Sequence, residues 1–434
     1  MKKILSLVVA TLLIAVLAVS FVACDEQPEN DDKYTIVYLG DSIAEALIGP
    51  SPVSERDNYG YYALVGRVNN MNYYNHSVSG HLTSGSMVDK DNGDGLLQII
   101  SRDDETATLV KTHIIEADVI HISVLGNNML QFSLGSLMME MADIDQNKTG
   151  ADRWYQACFA GDENETALRA KYDDDKSLFD YLHDGGSEEV IRPSMWYGPD
   201  SDAVQYGDRY DGTNVYTKED PTFNFPSTYQ NIVDIVARLR QLNPTAKIVF
   251  QKVYNPMYEG STLLNIAEYG ALADRGYDTI EKVRALAQKL LDKLNGLIDE
   301  YNEKNPDMKV DVLDINEVFN EYTNMDVDAD GVVDLSQNSV GRSLIFADWT
   351  HPSNIGHAII AGATQKMLES WGMADVNAIA NYKAIKCDQI ARMFEPIQGF
   401  DAQGAYNAIN GANTFDDVTV AYFAAINGYT PINY

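Results

Sequence analysis

The chain alternates short apolar runs with longer stretches whose apolar residues recur at helical spacing. Five runs stand out: "YTIVYLG" (34–40), "MNYYNHSVSG" (71–80), "ADVIHISVLG" (117–126), "AKIVFQKVY" (246–254) and "MKVDVLDI" (308–315). Each has the length and the β-branched or aromatic content of a buried strand. Between them, residues 59–70, 104–116, 228–241, 278–303 and 354–370 read as amphipathic helices. The second opens with acidic residues, which suit the positive end of a helix dipole. The third stops at Asn243-Pro244 and the fourth before Asn305-Pro306, as helices do at proline. This alternation predicts an α/β fold, a parallel sheet with helices on both faces. Ligands of such sheets sit at the carboxyl ends of the strands.

Two segments break the pattern. Residues 130–227 form a long insertion after the third run, rich in Asp, Gly and Tyr and holding Trp154 and Trp196. It starts at a strand's carboxyl end, so it is expected to roof a site there. Residues 372–434 hold two further helical patterns and are expected to pack on the core as a C-terminal extension.

The first residues pair a short basic start, Met1-Lys2-Lys3, with an apolar run from Ile4 to Ala23 that closes on "FVAC". A small residue before a cysteine in this position resembles the lipobox of bacterial lipoproteins, with Phe21 where leucine is usual. The resemblance implies a signal peptide over 1–23, an acylated Cys24 and a flexible acidic tether over 24–32. An uncleaved membrane anchor is the alternative, because twenty apolar residues just span a bilayer. Either way the body is expected outside the cell; in the lipoprotein reading the lipid on Cys24 holds it to the outer face of the cytoplasmic membrane at the bacterial surface.

The formal net charge is -32, and loss of Lys2 and Lys3 with the signal makes it more negative. So acidic a chain repels phosphates, which argues against nucleic acid as a partner. Beside Cys24 the chain has only Cys158 and Cys387. They are candidates for one disulfide or for two separate thiols, and no cysteine spacing matches a zinc site.

Chemistry is concentrated in four short motifs. "GDSI" (40–43) closes the first run and offers Ser42, a nucleophile or an ordinary helix cap. "DWTHP" (348–352) holds Asp348 three before His351, a spacing that lets one tight turn set a carboxylate against an imidazole. Gly80 closes the second run and lets backbone approach a ligand. Asn128 follows the third run with a strong amide donor. Each alone is most simply a cap, a surface histidine or a turn residue.

Taken together, and in this order, "GDSI", "NHSVSG" (75–80), "GNN" (126–128) and "DWTHP" resemble the SGNH hydrolase family, the GDSL-type esterases and lipases. The resemblance runs from about residue 34 to 371. It implies a flavodoxin-like three-layer α/β/α sandwich on a five-stranded parallel sheet, the SGNH hydrolase fold with large insertions, over residues 33–371. It also implies Ser42 as nucleophile, His351 as base, Asp348 as its partner, and an oxyanion hole of the Ser42 and Gly80 backbone and the Asn128 amide. Met129 stands where the family usually has aspartate. No cofactor is needed for such chemistry. Among the other histidines, His76, His121 and His357 are expected to be packed, His113 lies on a helix, His183 lies in the insertion, and His81 is a candidate to line the site.

"DVDADGVVDLSQ" (326–337) places Asp326, Asp328, Asp330 and Asp334 at the spacing of an EF-hand-like calcium loop, with Gln337 where the bidentate acid belongs. It is either a weak structural calcium site or an acidic turn.

The expected activity is hydrolysis of carboxylic esters through an acyl-enzyme on Ser42. The aromatic insertion and the extracellular address point to small acyl groups on glycans. The alternatives are a lipase or acyl-thioesterase, and a non-catalytic glycan-binding protein that keeps the fold.

Overall fold

The structure is a computed structural model that describes residues 33–47, 53–84, 95–130, 134–148, 177–185, 227–258, 261, 263–323, 350–426 and 428–429. The signal and tether, Cys24, Trp154, Cys158, Trp196, the acidic loop 326–337 and Asp348 lie outside them.

Five strands form one sheet: β1 (Thr35–Gly40), β2 (Asn72–Asn75), β3 (Val119–Ser123), β4 (Lys247–Gln251) and β5 (Asp311–Leu313). Their order is β2-β1-β3-β4-β5, and every pairing is parallel. Ile36 stands opposite Val119 and Gly40 opposite Ser123. This is the doubly wound α/β arrangement expected from the alternation of runs.

Side chains of β1 alternate between two cores because successive residues of a strand face opposite ways. Val37 and Leu39 join Ile120, Ile122, Ile248 and Phe250 under the helices Glu105–Glu116, Thr228–Leu242 and Ile280–Lys304. Ile36 and Tyr38 join Leu64, Val65, Phe319 and Ile360 under the helices Tyr61–Val68, Ile315–Thr323 and Asn354–Trp371. All of these side chains are buried, so truncating one of the central aliphatic ones to alanine costs about 2–5 kcal/mol.

Polar residues set where elements start and stop. Asp104 Oδ1 accepts from the Ala107 N–H at 2.9 Å, and Ser227 Oγ accepts from the Gln230 N–H at 3.0 Å. Each satisfies a donor that the first helical turn leaves open. The helix Thr228–Leu242 ends at Asn243, whose amide donates to the carbonyls of Ile114 and Ala117 at 2.9 and 2.7 Å. One side chain thereby joins the ends of two helices to the start of two strands.

Three boundaries differ from the apolar runs. β2 ends at Asn75, although the run continues to Gly80. There the side-chain carbonyl oxygen of Asn75 accepts from the Ser77 N–H at 3.1 Å, an Asx turn that bends the chain out of the sheet. The third run ends as a strand at Ser123, and a helix, Leu125–Leu130, follows at once. Among the described residues the C-terminal region has three helices, not two: Ala378–Met393, Ala402–Gly411 and Phe415–Ile426. "FEPIQGF" (394–400) interrupts the first two, since proline and glycine do not continue a helix, and the third starts afresh at Thr414, whose Oγ1 accepts from the Asp417 N–H at 3.1 Å. They pack through Tyr382, Ile390, Phe415 and Tyr422, with Tyr382 and Phe415 stacked at 3.7 Å.

Two described parts of the long insertion are helices, Leu134–Asp145 and Leu178–Asp184. Leu137, Met138, Met141, Leu178 and Leu182 belong to the core beside the helix Ile280–Lys304. Asp143 is fully buried and accepts from Arg275 Nε at 2.9 Å. These parts are therefore layers of the fold. The remainder of 130–227, where a roof was expected, lies outside the described residues.

Candidate active site

In the order β2-β1-β3 the connections from β1 and from β3 leave in opposite directions, so a crevice opens at the carboxyl ends of β1 and β3. Residues of all four motifs meet there.

The backbone after β1 is drawn tightly against β3. A Cβ on Gly40 would lie 2.1 Å from the Ser123 carbonyl oxygen, so only glycine fits. The next N–H, that of Asp41, donates to the same carbonyl at 2.9 Å. The chain then turns. The Asp41 carbonyl accepts from the Glu45 N–H, and the Ser42 carbonyl from the Leu47 N–H, both at 2.9 Å. Ala46 closes the turn at φ 59, with its carbonyl accepting from the Tyr59 hydroxyl at 3.2 Å. A non-glycine residue in this left-handed region is strained. Ser42 thus sits in a strained turn and not at the cap of a helix, since residues 42–46 are turn.

His351 Nε2 lies 2.8 Å from Ser42 Oγ. His351 precedes the helix Asn354–Trp371, whose start is fixed by Ser353 Oγ accepting from Ile355 and Gly356, each at 3.2 Å. The carbonyl before it, Thr350, accepts from the Tyr254 hydroxyl just beyond β4. Asp348, expected to orient the ring, lies outside the described residues.

Asp41 is buried beneath the turn, where its Oδ1 accepts from the Ile43 N–H at 2.9 Å. Burial pushes its carboxyl up to about 7, partly offset by that hydrogen bond and by the charge of His351. Its geometry makes it a brace of the turn.

Gly80 adopts φ 84, the left-handed region that glycine enters freely. Its turn is tied to β1 by the Val78 N–H donating to the Gly40 carbonyl at 3.0 Å. The backbone N–H groups of Ser42 and of Gly80 donate to no carbonyl among the described residues. Both residues are buried, so two shielded donors are open at the nucleophile's turn and at its neighbour.

Asn128 behaves differently from the expectation. Its amide nitrogen donates to Thr83 Oγ1 at 2.8 Å and to Thr228 Oγ1 at 3.1 Å, and its oxygen accepts from the Thr83 N–H at 2.9 Å. Both amide hydrogens are engaged, and the side chain is 1% exposed. The reason is the helix Leu125–Leu130: successive side chains point about 100° apart on a helix. Asn127 consequently takes another direction. Its amide donates to the His81 carbonyl at 3.0 Å, one residue past Gly80, and its second hydrogen meets no acceptor among the described residues. Sequence reasoning missed Asn127, although "GNN" offers two adjacent asparagines.

A second missed residue is Glu45. One oxygen accepts from Arg56 and the other from the Ser79 N–H at 2.7 Å and from the Ser79 hydroxyl.

Among the described residues no other histidine hydrogen-bonds to Ser42. His121 and His357 are fully buried, and burial pushes both imidazoles down to about 3. His121 packs among Tyr38 and Tyr61, and His357 stacks on Tyr61. His76 contacts His113 at 2.7 Å, and burial with that neighbour lowers it to about 4. His183 bridges Asp184 and Glu300. His81 is buried beside Gly80 and presents its carbonyl to Asn127.

Among the described residues no three His, Cys, Asp or Glu side chains form a group that could hold a metal ion. Cys387 is a half-buried free thiol. No helix among the described residues is long and apolar enough to cross a membrane.

Comparison with known proteins gives a family match over part of the chain. Residues 211–364 match the model of the GDSL-like Lipase/Acylhydrolase family. That stretch holds Asp348 and His351 but not Ser42, Gly80 or the asparagine pair. No curated protein matches the chain. Among solved structures, it is similar to a lipase from a goat rumen metagenome, at 13% identity and a TM-score of 0.34, over 77% of this chain and 97% of that one. It is also similar to an extracellular lipase from Streptomyces rimosus, at 13% identity and a TM-score of 0.37, over 78% and 99%. A phospholipase A1 from Streptomyces albidoflavus NA297 is similar at 13% identity and a TM-score of 0.35, over 78% and 99%. The family match supports the GDSL-like lipase/acylhydrolase family for this chain and, at that level, an ester hydrolase.

Proposed function

We propose that the protein is an exported serine esterase that removes small acyl groups, such as acetyl, from glycans. The observation that carries the reading is the 2.8 Å contact between His351 Nε2 and Ser42 Oγ in a turn flanked by open, buried N–H donors. A serine is activated when an imidazole takes its proton as it attacks.

In this reading Ser42 Oγ attacks the ester carbonyl carbon while its proton passes to His351 Nε2. The carbonyl π electrons move to oxygen, which is held by the Ser42 and Gly80 N–H groups. Asn127 supplies the side-chain amide, and Asn128 locks the helix that carries it. Donors already aimed at the developing negative charge need no reorganisation as it forms, and they lower the barrier of acyl transfer more than any other single device in many enzymes. Collapse breaks the ester C–O bond, and the leaving alkoxide takes the proton from His351. Water, deprotonated by His351, then releases the acid from Ser42. Asp348 orients the imidazole, and no cofactor takes part.

The glycan substrate is supported by the aromatic residues of 130–227, including Trp154 and Trp196, whose faces suit sugar rings. Export and a lipid anchor are supported by "FVAC" at 21–24 after an apolar run. A calcium ion on Asp326, Asp328, Asp330 and Asp334 would stiffen the segment before His351. Substrate class is tested by comparing acid release from acetylated xylan or pectin with release from long-chain glyceride and thioester substrates. Faster release of acetate supports the glycan esterase, and faster release of long-chain acid replaces it with a lipase or thioesterase.

A further inference from the structure

We infer that Glu45 is a positioning residue that fixes the Gly80 turn relative to the nucleophile, an inference that rests on the hydrolase reading above. Glu45 lies three residues after Ser42, within the same turn, and its own N–H closes that turn on the Asp41 carbonyl. Its carboxylate reaches across to the other donor-bearing turn. Oε2 accepts from both the N–H and the hydroxyl of Ser79, the residue immediately before Gly80. Oε1 is held by Arg56 Nη1. Arg56 is itself held. The Arg56 side chain is 8% exposed, and its backbone carbonyl accepts from the Gly60 N–H at 2.7 Å.

The carboxylate therefore joins three separate segments: the nucleophile turn, the Gly80 turn and the 3-10 turn Val53–Asn58. Charge-assisted bonds of this kind are shorter and stronger than neutral ones. An oxyanion hole built from two separate turns works only while their N–H groups keep one spacing. Glu45 supplies that constraint without touching substrate. An aspartate is a methylene too short to make both contacts from this backbone, and a glutamine keeps an oxygen for the Ser79 N–H while losing the charge.

The test compares Glu45→Ala and Glu45→Gln in the full chain with p-nitrophenyl acetate as probe. Active serines are titrated with a fluorophosphonate, and hydrogen exchange is followed over residues 77–81. In E45A, kcat per titrated serine is expected to fall about 10²-fold with KM little changed, and exchange at 77–81 to accelerate. E45Q is expected to recover most of both. Should E45A not fold, Arg56→Met frees the same carboxylate and is expected to change both readings in the same direction. Wild-type kcat per titrated serine in E45A overturns the inference, because a residue that only stabilises the fold lowers the number of active sites and not their turnover. If the wild type hydrolyses no ester, the hydrolase reading fails by itself. Unchanged exchange at 77–81 then overturns the role of Glu45, and accelerated exchange supports it.

Discussion

His351 and Ser42 are separated by 309 positions in sequence and by 2.8 Å in space, imidazole nitrogen to hydroxyl oxygen. Two unlike devices bring them together. Ser42 is carried by a strained turn clamped to the Ser123 carbonyl. His351 is carried by a loop pinned between Tyr254 and the capped start of the helix Asn354–Trp371.

The adjacent asparagines separate cleanly by mutation. Asn127→Ala is expected to lower kcat by about 10²–10³-fold, the usual cost of one oxyanion donor, and to cost about 1 kcal/mol of stability for its one hydrogen bond to the His81 carbonyl. Asn128→Ala removes the acceptor of the Thr83 N–H and the donor to the Thr228 hydroxyl, both buried, an expected loss of about 1–3 kcal/mol in stability. Steady-state kinetics and urea unfolding on both variants check this. The reverse pattern would return the oxyanion role to Asn128.

Asp41 makes a pH prediction. Its folded carboxyl is pushed up to about 7 from an ordinary value of 3.8, chiefly by burial. Between those values the native state binds the proton that the unfolded state releases, so this group's contribution to stability falls as pH rises from about 4 to 7. His351, Glu45 and Tyr61 are the charged or titratable groups that act on it or that it acts on. Asp41→Asn keeps an acceptor for the Ile43 N–H and removes the titration. Its urea midpoint, relative to the wild type's, is expected to rise between about pH 4.5 and 8. A constant difference would place the Asp41 pKa in the ordinary carboxylate range.

Tyr254→Phe deletes a hydroxyl and the hydrogen bond to the Thr350 carbonyl. One such bond is worth about 1 kcal/mol. The loop holding His351 loses a tie, so kcat is expected to fall more than stability does. Parallel measurements of kcat and melting temperature decide it. An unchanged kcat would mean that the remaining contacts of Thr350 and His351 hold the base alone.

The strands were legible because they are buried on both faces: "TIVYL" and "VIHIS" are apolar runs bounded by turn residues, and they sit beside each other as β1 and β3. Their ends were less legible. The run from Met71 to Gly80 keeps β-forming residues past Asn75, yet one local side-chain bond to Ser77 ends the strand. Ser42 and His351 could be found because each motif is short and contiguous. Which of Asn127 and Asn128 turns toward the site could not, because that depends on where the helix after β3 begins. Glu45 was invisible for a related reason. Its partners, Arg56 and Ser79, are brought to it only by the fold, and nothing in "GDSIAEAL" distinguishes a glutamate that braces another turn from one that faces water.

The central claim, that Ser42 is a nucleophile activated by His351, is tested most directly by fluorophosphonate labelling followed by peptide mass spectrometry. The expected result is one covalent adduct on Ser42 in the wild type, none in Ser42→Ala, and strongly slowed labelling in His351→Ala. Absence of any adduct in folded wild-type protein, or equal labelling in Ser42→Ala, would contradict it.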